Sequence, residues 1–118
     1  MSKRSAILLI QDMLEAIAKI RRYTAELTTE TFSTDEKSVD AVVRNLEIIG
    51  EAANRLPEDF KAQHHEVEWS QIVGLRNRIV HDYFGMDLQI VWQVLQRDLP
   101  AFNSALVRIL QTLPNALR

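Results

Sequence analysis

The residues able to do chemistry crowd into one stretch, Arg76–Asn77–Arg78–Ile79–Val80–His81–Asp82–Tyr83. A guanidinium grips phosphate oxygens in a planar fork. An imidazole moves a proton near neutral pH. An amide can orient either group, and a phenol offers a hydroxyl that binds or is modified. The set points to phosphate handling. On a helix, residues step about 100° each, so Asn77 and His81 share one face and Arg76 and Tyr83 nearly eclipse. Arg76 and His81 then stand roughly 140° apart around the axis. They can flank a groove but cannot stack, which favours a site completed by a second copy of the chain. A two-fold interface would set two Arg76 and two His81 around one cleft. Such a cleft suits RNA cleavage without metal. One His81 would take the proton of a ribose 2′-hydroxyl, and the other would protonate the leaving oxygen. Arg76 would stabilise the charge growing on the phosphate. Asn77 would orient His81 or a phosphate oxygen, and Arg78 reads as a solvated or phosphate-positioning charge.

The rest of the chain must position this stretch. At 118 residues it reads as one domain, 1–118, small enough that a second copy would help stability. Hydrophobic residues make up 47% and charged residues 25%, ordinary for a globular chain. With three Gly and three Pro, turn-makers are too few for a sandwich or barrel, so helices are expected. No cysteine is present, which excludes disulfides and thiolate metal sites. The apolar runs are too short for a membrane span. Lys3 and Arg4 precede Ala6–Ile10, but Gln11 and Asp12 interrupt a signal-peptide core, so a cytoplasmic location is expected. The net charge of −2 argues against a generic nucleic-acid coat, so RNA would have to meet a local basic patch.

Periodicity predicts the elements. A first helix spans about Ser5 to Leu27, with Ile7, Ile10, Leu14 and Ile17 at three- and four-residue steps. Thr28–Thr31 interrupts it. Ser33–Thr34–Asp35–Glu36 fits a capping box opening the second helix. Val39, Val42, Leu46, Ile49 and Ala53 then step 3-4-3-4, the seam of a helix packed nearly parallel to a neighbour. Gly50 within it suggests a close backbone approach. Pro57 ends that helix and can open a short one as its first residue. Gln63–Glu66 reads as a loop. A third long helix starts near Trp69–Ser70 and runs into the motif, with Gly85 as its cap. Asp87 is a candidate N-cap for the last helix, where Ile90, Val91, Val94, Leu95, Leu99, Phe102, Leu106 and Ile109 form a long stripe and which Pro100 should kink or split. The sum is an all-α, up-and-down bundle of four long helices plus a short one.

Arg76-x4-His81-x-Tyr83, with Asn77 after the Arg, resembles the RX4HXY signature of HepT-type toxins in the HEPN (higher eukaryotes and prokaryotes nucleotide-binding) superfamily. Ile48–Ile49–Gly50–Glu51–Ala52 resembles the family's IGEA stretch. Trp69, Val91–Trp92 and Asp98–Leu99–Pro100 also match its pattern, so the resemblance covers nearly the whole chain. It implies a homodimeric HEPN fold and a ribonuclease toxic to its own cell, with tRNA among the candidate targets. Arg76 and His81 map onto the catalytic pair. It also implies an antitoxin of the MntA type, a minimal nucleotidyltransferase that attaches AMP to the motif tyrosine, here Tyr83, in a type VII toxin–antitoxin pair. No cofactor is implied. The rival reading is a non-catalytic helical partner or substrate-holding subunit of such a nucleotidyltransferase. A purely structural dimer is the third.

Plainer roles stand beside these. Arg76 could be a surface charge and His81 a helix-end residue favoured by the dipole. Tyr83 could be a core-edge aromatic. His64–His65 reads as loop polarity, not as a metal site. Glu51 falls near Arg44 and Arg55, an exposed ion pair of little worth. Trp69 and Trp92 read as core or interface residues in preference to base-stacking platforms.

Overall fold

The computed structural model describes residues 4–82 and 88–113, and for residues 76–82 the backbone alone. The first helix, α1 (Ala6–Thr24), opens where Ser5 accepts the backbone N–H of Leu8 at 3.3 Å. It stops three residues short of the expected Leu27. The hydroxyl of Thr24 donates to the carbonyl of Ile20 at 2.8 Å, and Leu27 N–H donates to the Thr24 carbonyl.

The stretch expected to be a simple break holds a six-residue helix, α2 (Thr29–Thr34). The capping box lies here and not at Ser33. Thr28 accepts the N–H of Thr31, and Thr31 Oγ1 accepts the N–H of Thr28 at 2.8 Å. Ser33 sits inside α2, where its hydroxyl donates to the Thr29 carbonyl. The next helix, α3 (Glu36–Arg55), is capped by Asp35 instead, whose carboxylate accepts both the N–H and the hydroxyl of Ser38. Those two bonds favour the charged form and hold the Asp35 carboxyl below its ordinary range. Pro57 occupies the cap position of α4 (Glu58–Gln63), one residue ahead of the place expected for it.

The motif helix is α5 (Trp69–Asp82). The last rod is one continuous run: α6 (Leu88–Gln93), a π turn (Val94–Asp98) and α7 (Leu99–Thr112). Pro100 has no N–H and its ring crowds the preceding turn. The kink or split expected there takes the form of the π turn just ahead of it, in which the Leu99 N–H reaches back five residues to the carbonyl of Val94. The proposed caps Gly85 and Asp87 lie outside the described residues.

Four long rods and two short helices thus make the expected all-α bundle, and no strand occurs among the described residues. The sequence of contacts around it is α5 on α3, α3 on α1, and α1 on α7, with α2 bridging α3 and α6. The predicted seams are the core. Ile10, Ile17, Val42, Ile49 and Leu106 are fully buried, as are Met13 and Phe32. Gly50 is buried on α3, which α1 and α5 flank. Ile90 departs from its predicted stripe and is 48% exposed. No helix among the described residues is long and apolar enough to cross a membrane.

Candidate active site

Helix α5 is anchored at its start. Trp69 is buried, its ring lies edge-on to Phe102 of α7 at 6.2 Å, and its indole N–H donates to the His64 carbonyl at 2.9 Å. The chain before it folds back as a turn, and the His64 ring lies tilted at 4.6 Å from that of Phe60 of α4. Ile72, Val73 and Leu75 are half-buried and pack against the core. These contacts fix the rotation of α5 about its axis, and with it the face on which each later residue falls.

The helix continues without a break through Arg76, Asn77, Arg78 and His81. The helical spacing expected for them therefore holds. Asn77 and His81 lie on one face, about 6 Å apart along the axis. Arg76 is about 7.5 Å from His81 along the axis and well around the helix from it. The bundle thus brings Arg76, Asn77, Arg78 and His81 onto one helix end. Tyr83, the expected modification site, lies outside the described residues.

A feature that the sequence reading passed over adjoins this helix end. Ser70, Gly74, Asn77 and His81 form one stripe, since steps of four, three and four residues nearly close on a helix. Gly74 lies mid-helix, where glycine costs about 1 kcal/mol against alanine. Among the described residues a Cβ built there meets nothing within 4 Å, and its φ is not positive, so neither crowding by them nor backbone geometry demands glycine. The available signal was Gly74 itself, an unfavourable residue inside a strong helix.

The two tryptophans sit as expected of packing residues. Trp92 is half-buried with its ring 5.3 Å from that of Phe32. Glu51 is half-buried, not exposed, and lines a groove between α1 and α3 together with Arg44 and Arg55. Among the described residues there is no group of three or more His, Asp or Glu able to hold a metal ion. His64 Nδ1 lies 3.6 Å from a Glu66 carboxylate oxygen.

Known proteins place the chain. A family model described as "Ribonuclease HepT-like" matches residues 13–109, a span that holds α5 entire. A protein of Thermococcus cleftensis named "Probable ribonuclease HepT" is 40% identical over 101 residues, covering 86% of this chain and 92% of that one. A protein of Caldanaerobacter subterraneus subsp. tengcongensis named as a "putative RNase" is 38% identical over 85 residues, 72% of this chain and 76% of that one. A "Gamma-glutamylcyclotransferase and putative RNase" of Methanocaldococcus jannaschii is 34% identical over 104 residues. That match spans 88% of this chain but only 47% of that protein. No solved structure matches significantly. With its family model covering most of its length and a relative 40% identical along nearly all of both chains, this protein belongs to the HepT-like ribonuclease family.

Proposed function

We propose that this RNase of the HepT-like family is a metal-independent endoribonuclease, active as a homodimer, and the toxin of a toxin–antitoxin pair. The observation that carries the reading is the set Arg76, Asn77, Arg78 and His81 on the end of one uninterrupted helix. In the dimer, one imidazole removes the proton of a ribose 2′-hydroxyl, and that oxygen attacks the adjacent phosphorus. The second imidazole protonates the departing 5′-oxygen, leaving a 2′,3′-cyclic phosphate and a free 5′-hydroxyl. Arg76 neutralises the charge that builds on the non-bridging oxygens. Asn77 shares a face with His81 and orients it, while Arg78 holds a neighbouring phosphate.

Tyr83 is the control point in this account. A minimal nucleotidyltransferase of the MntA type transfers AMP from ATP to its phenolic oxygen and releases pyrophosphate. The added phosphodiester is anionic and bulky, and seven residues from Arg76 it competes with RNA for the guanidinium. Expression of the chain alone in cells should arrest growth, and co-expression with the nucleotidyltransferase should relieve the arrest. Mass spectrometry of the co-expressed protein should show AMP additions that vanish in Tyr83→Phe, a variant the antitoxin then fails to silence. Harmless expression of the unmodified chain at high level would favour the non-catalytic partner instead. AMP additions that persist in Tyr83→Phe would remove Tyr83 from the scheme.

A further inference from the structure

Between α5 and the last rod the bundle leaves a groove of about 450 Å³. Its floor is apolar and includes the buried ring of Phe102 and the half-buried Val94. Its rims are polar: Ser70 and Gln71 on α5, and Asp98 at the end of the π turn, all three exposed. Gly74 forms part of the α5 wall and leaves the helix backbone open to the groove. We propose that this groove is a base-binding subsite, which takes one nucleobase of a single-stranded RNA next to the cleaved phosphate.

Placement is the first support. Gly74 lies on the stripe that continues to Asn77 and His81, with His81 about 10 Å further along the axis. A strand passing the helix end therefore has the groove within a nucleotide or two of the reacting atoms. Chemistry is the second. A flat, apolar-faced ring with polar edges matches an apolar floor between a hydroxyl, an amide and a carboxylate, which together donate and accept. Among the described residues the charged group on the rim is the acidic Asp98, which disfavours phosphate. Shape is the third. A side chain at Gly74 would fill space that no described residue occupies, and Val94 and Asp98 of the π turn line the same space.

The subsite rests on the ribonuclease reading for its substrate class, but it can be tested without cleavage. The probe is a single-stranded octanucleotide with every 2′-hydroxyl methylated, so that it cannot be cut, and with an abasic residue moved through it one position at a time. Fluorescence anisotropy with the full-length protein should find a position at which loss of the base weakens binding by about tenfold. Gly74→Leu, which adds a side chain where no described residue stands in its way, should weaken binding of the intact probe by a similar factor and abolish the abasic penalty at that position. A variant that binds as the wild type does, with the same abasic profile, overturns the subsite. Cleavage of unmodified RNA is scored separately. Cutting with no effect of Gly74→Leu on KM would discard the groove and keep the nuclease. The expected abasic profile in a protein that never cuts RNA would discard the nuclease and keep the groove.

Discussion

Replacing His81 by Ala should lower the rate of RNA cleavage by about 10²–10⁴-fold, the range that a positioned acid or base contributes. A site shared by two copies would lose the acid and the base together, which places the expected loss towards the upper end of that range. Arg76→Ala should cost about 10²–10³-fold, as expected of one group that stabilises transition-state charge. Both measurements belong in EDTA, where the wild type should keep its full rate. Alanine favours the helix more than either residue it replaces, so the circular dichroism of the variants should match the wild type. Full cleavage by His81→Ala would strike that residue from the mechanism.

A second large effect lies far from the chemistry. Phe32→Ala should destabilise the fold by about 3–5 kcal/mol, a large part of the roughly 5–15 kcal/mol that a domain of this kind possesses. Phe32 has no exposed surface, and its ring lies 5.3 Å from that of Trp92. It is the only buried residue of α2, a helix of six residues that could not persist alone. Loss of this ring therefore removes the contact by which α2 is held to Trp92 of α6. Urea denaturation gives the value directly, and a loss under about 1 kcal/mol would mean that the site collapses around the deletion at little cost. Leu8, 40% exposed on α1, is the natural control, since its truncation should change little.

The contrast between Phe32 and the motif shows what the residues alone disclose. The four long rods were legible because each carries an apolar stripe of helical period, and the stripes of α1, α3 and α7 are buried almost residue for residue. Helix α2 was not legible. Its capping box uses Thr31 where the usual pattern has Glu or Gln, and Thr-rich segments read equally well as breaks. Ser33 and Asp35 both qualify as caps by type, and only the fold decides between them. Pro100 announced a disturbance without its form, since a kink, a split and a π turn all accommodate a missing N–H. Of the site, the helical placement of Arg76, Asn77, Arg78 and His81 followed from the sequence. The groove beside them did not, because it is made by α5 and the last rod together, which no periodicity within either one reveals.

The central claim is that cutting RNA needs the imidazoles of two copies in one crevice. The direct measurement is the cleavage rate of wild-type protein mixed with His81→Ala at constant total concentration, after the subunits have exchanged. A shared crevice predicts a rate that follows the square of the wild-type fraction, about a quarter at an equal mixture. A rate that falls in simple proportion, about a half at that point, would contradict it.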